Sequence, residues 1–247
     1  MTATRGGQPA ALGRVVALRR YPVKSMRAEP LDAAALHWTG FHGDRQYAFC
    51  RTANRSDFPW LTGRQVPGLV LHAARYSDPE DPRLARVRVT GPDGADHDID
   101  DPTLARRLSE GVDAPVRLLR LGRGAFDAMP VSVITTTTGE AISRAHGAPV
   151  PLDRFRVNLV IRPDNPAATE RDWLGGALAL GDGPDPPVLR LDWPIPRCAM
   201  VAIDPATAFR DASVLRTVVQ RFGNEAGVYC TVQAPGRIRV GDLVRLV

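Results

Sequence analysis

The chain has 247 residues, 44% of them hydrophobic and 24% charged, with a formal net charge of +5. That composition supports a real core, excludes a disordered chain, and leaves room for one large domain or two small interlocked ones. No apolar run approaches the ~20 residues that span a bilayer, and the N-terminus lacks the apolar stretch of a secretory signal, so the sequence implies a cytoplasmic protein with no membrane partner.

In chain order, residues 1–12 are small, polar and Gly-rich, and are expected to be disordered. Strands are expected at 13–20 and 31–38. Between them lies Tyr21-Pro22-Val23-Lys24-Ser25. Lys24 is the single lysine among 32 Lys plus Arg, which marks it as a place for a compact point charge where a planar guanidinium would not fit. A Gly-rich turn, Gly40-Phe41-His42-Gly43-Asp44-Arg45, then delivers an Asp-Arg pair to a strand at 46–51. Further strands are expected at 70–76 and 86–90, a helix at 103–111 with Leu104 and Leu108 four apart, and a strand at 116–121. Gly122-Arg123-Gly124 forms a seam that divides 13–122 from 123–247.

Beyond the seam, a strand at 131–135 runs into four threonines and a helix at 138–146. Hydroxyls and backbone N–H groups at a helix start suit an anion, although one Thr suffices for a cap, so Thr135 and Thr136 are ligand candidates beside that simpler role. In a strand at 155–161, alternation puts Arg156 and Asn158 on one face, a fork for a phosphate or a polar ring or else a solvated strand face. Strands at 188–191, 200–203, 227–233 and 243–247 and a helix at 212–222 complete the pattern. The fold class is mainly β (α+β), built on barrels with few short helices. The βαβ alternation of a doubly wound sheet is missing, and so are G-x-G-x-x-G and P-loop motifs. The arginines are scattered, aromatics make up only 6%, and no DNA-binding or base-stacking motif occurs. This argues against nucleic acid and for a compact anionic ligand.

Three cysteines occur, with no CxxC pair, which excludes a disulfide framework and a four-ligand zinc site. Cys50 and Cys230 sit inside strand-like runs and read as buried apolar residues. Cys198 differs. Trp193-Pro194-Ile195-Pro196 makes a stiff entry, and Arg197 abuts the thiol. A neighbouring cation favours the thiolate, which binds a soft metal or attacks carbon. A thiol hydrolase needs a histidine base, and none of the five histidines lies in a recognisable nucleophile motif.

Taken together these segments resemble the MOSC family. Tyr21-Pro22-Val23-Lys24-Ser25 and Gly43-Asp44-Arg45 are similar to its N-terminal β-barrel region. Arg154-Phe155-Arg156-Val157-Asn158-Leu159-Val160-Ile161, Arg197-Cys198 with Asp204-Pro205, and the closing Pro235-Gly236-Arg237-Ile238-Arg239-Val240-Gly241-Asp242 are similar to the MOSC domain proper. The resemblance implies a MOSC β-barrel core at 123–247 interlocked with a smaller N-terminal β-barrel region at 13–122. It also implies a molybdenum cofactor, Mo-molybdopterin, with Cys198 as the metal ligand and catalytic residue. Lys24, Ser25, Arg45, Thr135, Thr136, Arg156, Asn158 and Arg197 would contact the cofactor. The activity implied is reduction of an N-hydroxylated or N-oxide substrate, with electrons from a separate protein: a ferredoxin, a cytochrome b5-like protein or a flavoprotein reductase. The alternatives are a non-catalytic cofactor or sulfur carrier and a molybdenum enzyme dedicated to one biosynthetic step. Asp204 is a candidate proton relay, though a turn role is the simpler one. Pyridoxal phosphate on Lys24 is not implied, because the surrounding segment lacks the architecture that holds it. The sequence departs from the family pattern in a shorter segment after Asp204-Pro205, in Tyr47 where Trp is usual, and in having neither an aminotransferase-like nor a ferredoxin domain. The short segment leaves substrate choice open.

Overall fold

A computed structural model describes residues 10–247. The elements run β1 (Ala11–Arg20), β2 (Glu29–Leu31), β3 (Ala33–His37), β4 (Gly40–Phe41), β5 (Tyr47–Arg51), β6 (Ala73–Tyr76), β7 (Val87–Thr90), β8 (Asp96–Asp98), α1 (Pro102–Glu110), β9 (Val116–Arg120), β10 (Val131–Thr135), α2 (Thr136–His146), β11 (Leu159–Pro163), β12 (Ala177–Leu180), β13 (Val188–Pro196), α3 (Ala212–Phe222), β14 (Glu225–Ala234), β15 (Gly236–Arg239) and β16 (Leu243–Leu246). The first strand starts at Ala11, inside the stretch expected to be disordered; residues 1–9 of that stretch lie outside the described residues.

Seven strands close a barrel in the order β11-β10-β14-β13-β12-β16-β1, with β1 pairing back onto β11. All these pairings are antiparallel except β10–β11, which is parallel because α2 crosses between them. Alternation fills the barrel. Val15, Leu18, Val133, Leu159, Leu189, Leu191, Val228 and Val244 point inward and are fully buried, each contributing ~1.5–3 kcal/mol relative to exposure. Outside it, α2 and α3 cover a second apolar layer around Ile134, Ile142, Val214 and Val218. The N-terminal half packs α1, the β5–β9 pair and the β6-β7-β8 sheet around Met26, Phe49, Leu69, Val89 and Leu104.

The two halves exchange strands. β1, from the start of the chain, belongs to the barrel of the C-terminal half, and β15, near the end, pairs with β3. Among the described residues, no helix is long and apolar enough to cross a membrane.

Two expected strands take other conformations. Residues 155–158 are not strand: Leu152–Phe155 is a 3-10 turn and Arg156 is left-handed at φ 53°, so β11 begins only at Leu159. Residues 199–202 form a second 3-10 turn, closed by Val201 N–H to Cys198 O and Ile203 N–H to Met200 O. In both places, tertiary contacts of arginines described below override a β-like pattern.

At Gly13, β1 pairs with β16 on one edge and β11 on the other, just after its register against β16 shifts. A Cβ there would sit 2.2 Å from the Arg162 carbonyl oxygen and 2.8 Å from Pro163 Cα, both backbone atoms. Gly13→Ala is expected to destabilise the protein by about 3 kcal/mol, the upper end for overpacking, read as a lowered urea midpoint at unchanged m value.

Candidate functional site

The site lies at the seam between the halves, in a cleft of about 610 Å³. Six of the residues singled out from the sequence line it: Lys24, Ser25, Arg45, Arg156, Arg197 and Cys198. Thr135, Thr136 and Asn158 do not.

The wall is organised by Asp44, whose side chain is buried. Its Oδ1 accepts from the Tyr21 N–H (2.7 Å), and its Oδ2 accepts from Asn158 Nδ2 (3.1 Å) and from the Arg45 guanidinium. Tyr21 lies between two guanidiniums, with Arg45 4.6 Å and Arg156 4.5 Å from the ring centroid. A tyrosine face attracts cations, so the ring keeps two like charges apart while holding both. Arg45 Nη2 also donates to Arg156 O (3.0 Å), and Arg156 Nη2 donates to Met26 O (2.8 Å). Asn158 thus acts from beneath the wall: Ser132 Oγ donates to its Oδ1 (2.9 Å), and Ser132 itself lines the cleft.

Ser25, Arg45 and Arg156 adopt φ of 68°, 51° and 53°. Left-handed backbone at a residue with a Cβ costs on the order of 1–3 kcal/mol, and it persists where surrounding contacts dictate it. Three such residues around one cleft mark a site whose shape the fold imposes.

The charges do not balance. Burial lowers the pKa of Lys24, and the Asp127 carboxylate partly restores it; Nζ donates to Asp127 Oδ1 (2.7 Å) and Ala125 O (2.6 Å). For Arg45, burial is the largest influence and opposes the charge, but Asp44, Tyr21 and Asp127 together outweigh it and raise the pKa. Arg156 and Arg197 make no ion pair among the described residues. Burial lowers both, Arg197 to about 10. Two half-buried cations without carboxylates leave the site with excess positive charge that suits an anion.

Arg197 is also a brace. It donates to Phe155 O (2.7 Å) and from Nε to Ala226 O (2.7 Å), fixing the end of β13 just before Cys198. Cys198 opens the turn Ala199–Ala202, and its side chain is exposed. Arg154 holds that turn from behind, donating to Ala202 O (3.2 Å) and to Asp204 Oδ2 (2.8 Å). Asp204 is a turn residue: its Oδ1 accepts the N–H groups of Ala206 (2.8 Å) and Thr207 (3.0 Å), which hold its carboxyl below the usual range against the effect of burial. Cys50 and Cys230 are buried, and burial pushes the Cys230 thiol well up.

Thr135 serves a different acid. It caps α2, and buried Glu170 accepts from its N–H (2.9 Å) and Oγ1 (2.6 Å), from Thr138 Oγ1 (2.7 Å) and from Gly227 N–H (2.8 Å). Two of the four threonines, Thr135 and Thr138, are thus satisfied by a carboxylate of the chain itself.

Sequence patterns missed Tyr21 as a spacer, Asp127, Arg154 and Glu170. Glu170 gave no signal; it lies in an ordinary polar stretch. Aromatic and sulfur side chains (Phe58, Phe126, Met129, Trp193, Met200 and Tyr229) complete the cleft, walls that suit a planar ring. Among the described residues, no histidine lines the cleft, which removes the base a Cys198 hydrolase needs, and no group of three His, Cys, Asp or Glu could hold a metal by itself.

Residues 121–245 match the MOSC domain family, and residues 12–115 match the MOSC N-terminal beta barrel domain family. The chain is 37% identical over 83 residues to the molybdenum cofactor sulfurase of Anopheles gambiae, a match that covers 33% of this chain and 10% of that protein. Among solved structures it is similar to the YUAD protein from Bacillus subtilis (TM-score 0.49, 13% identity, 97% of this chain and 98% of that one). It is also similar to YiiM from Geobacillus stearothermophilus (TM-score 0.36, 19% identity, 48% of this chain and 54% of that one).

Asp44→Ala would leave the half-buried Arg45 without its partner and free two further donors. A loss of about 3–5 kcal/mol is expected in urea unfolding, as for a broken buried pair, with a smaller loss for Asp44→Asn.

Proposed function

Since the chain belongs to the MOSC family, we propose that it is a cytoplasmic, molybdenum-cofactor-dependent reductase that removes oxygen from N-hydroxylated or N-oxide compounds. The observation that carries this reading is the exposed Cys198 thiol opening on a cleft with two half-buried guanidiniums that have no carboxylate partner.

The donor set fits the cofactor. A lone cysteine cannot hold a metal unaided, so the metal must arrive with ligands of its own, as it does on a dithiolene pterin. A soft thiolate suits a redox-active metal, and the excess positive charge suits an anionic tail. The chemistry such a group supplies when bound is two-electron exchange coupled to oxygen-atom transfer. Cys198 is the protein's ligand to it. Lys24 and Arg156 hold the anionic end, and Arg45, locked by Asp44 and Tyr21, lines the ring-binding wall. Arg197 and Arg154 keep the Cys198 turn fixed. The aromatic walls keep water from the flat part of the ligand. The net reaction, R–NH–OH + 2e⁻ + 2H⁺ → R–NH₂ + H₂O, draws its electrons from a separate donor protein.

The exposure of Cys198 also fits a carrier that passes cofactor or sulfur to a partner. Turnover of a simple amidoxime with an artificial electron donor separates the two: a carrier gives none.

Cys198→Ala is expected to keep the fold and lose at least about 100-fold in amidoxime reduction, ~2.7 kcal/mol of barrier, with molybdenum falling in elemental analysis. Full metal content and full activity in that variant overturn the proposal. Arg156→Ala removes a charge-assisted contact worth about 1.5–3 kcal/mol, so cofactor retention should weaken by about 10–100-fold, measured as pterin fluorescence after acid oxidation of the desalted protein.

A further inference from the structure

The segment after the Cys198 turn is a rigid loop with an unusual surface. Ile203 bridges to Arg210, Asp204 N–H donates to Phe209 O (2.8 Å), and Ala208 N–H donates to Asp204 O (2.8 Å), with Ala208 left-handed at φ 60°. The one carboxylate of the loop, Asp204, is turned to Arg154 and the loop's own amides. Phe209 stands at the tip, 70% exposed.

Three arginines converge there from separate parts of the chain. Arg27 Nη2 donates to Pro205 O (3.4 Å), and Arg210 Nη2 donates to Arg64 O (2.6 Å). All three side chains are exposed, and none makes an ion pair among the described residues. Each tether uses only part of a guanidinium, so the remaining donors face outward from partly fixed positions. Ordering them against a partner costs less than ordering free side chains. The patch borders the cleft: Arg64 and Met200 line it, and Met200 packs against Gly63.

We infer that this face, Arg27, Arg64, Arg210 and Phe209, docks an acidic electron-carrier protein, an inference that rests on the reductase reading above. An exposed aromatic among arginines is the composition of an interface hot spot. The nearby carboxylates have partners of their own, Asp127 with Lys24 and Asp211 with the Ser213 N–H and His146, so the three unpaired arginines leave an excess of positive charge that selects an acidic partner and speeds its approach. The reaction needs two electrons per substrate. Those electrons come from outside the chain, so their carrier must dock beside the cleft mouth, and a one-electron carrier would dock there twice per turnover.

The test uses the cofactor-loaded enzyme with an amidoxime and two donors: a reduced acidic [2Fe–2S] ferredoxin, and dithionite-reduced methyl viologen. In Arg27→Glu/Arg210→Glu, the KM for ferredoxin should rise at least about 10-fold at low ionic strength. The wild-type rate should fall with added salt while that of the variant does not, and the viologen-driven rate should be unchanged. An equal ferredoxin KM in both proteins overturns the inference. If viologen drives no turnover in the wild type, the reductase reading fails, and calorimetric ferredoxin binding then decides the docking face. Binding by the wild type that the variant loses supports it; equal binding, or none by the wild type, overturns it. Tighter wild-type binding to a single-stranded oligonucleotide than to ferredoxin also overturns it.

Discussion

A single buried carboxylate, Asp44, sets the geometry on which the cleft depends. Removing an ion from water costs several kcal/mol, and only close, well-aligned donors offset it. Asp44 finds them on three segments far apart in the chain: the Tyr21 backbone, the Arg45 side chain and the Asn158 amide. Satisfying one acid therefore fixes the relative positions of the N-terminal motif, the Gly-Asp-Arg turn and the start of β11. Tyr21 is held by its backbone and by its hydroxyl on Val157 O (3.2 Å), so its ring is a fixed partition between Arg45 and Arg156.

Glu170 does a related job on the barrel side. Its four donors join β10, the first turn of α2 and β14. The β14 contact, Gly227, also lies against Arg197: a Cβ there would come 3.0 Å from a guanidinium nitrogen and 2.8 Å from Val133 O, and φ is 78°. Glycine is what lets the brace behind Cys198 reach Ala226 O. Two buried acids, each fully bonded, thus hold the two sides of one cleft, while the cations left over face its interior.

Much of the fold was legible because apolar runs and helical period are bounded by turn residues. Val131–Thr135, Ala212–Phe222 and the residues around Cys230 lie where period and turn residues put them. The short strand Ala177–Leu180 escaped, since all four residues are small or apolar and buried, and so carry no alternation. Of the site, the residues with distinctive chemistry could be read: the lone Lys24, the Asp44–Arg45 pair, Arg197 beside Cys198. The reading of Arg156 and Asn158 as two teeth on one strand face was wrong in mechanism. Arg156 reaches the cleft from a left-handed turn, and Asn158 lies buried behind it. The threonine run looked like an anion site because the acid that satisfies it, Glu170, is 32 to 35 residues away in sequence. Patterns of one or two residues report local periodicity; they do not report which distant carboxylate has claimed a donor.

The exchange of strands between the halves bears on how the protein is made. β1 leaves the ribosome first, yet its barrel neighbours are β11, which begins at Leu159, and β16, which begins at Leu243. Until β16 is synthesised, the ring is open, and β1 presents an unpaired edge. Contacts of such long sequence separation make closure slow. The nascent chain therefore carries an incomplete barrel through the long stretch from Arg20 to Leu243 that separates β1 from β16, and the cleft, which needs both halves, forms only once the second half has emerged.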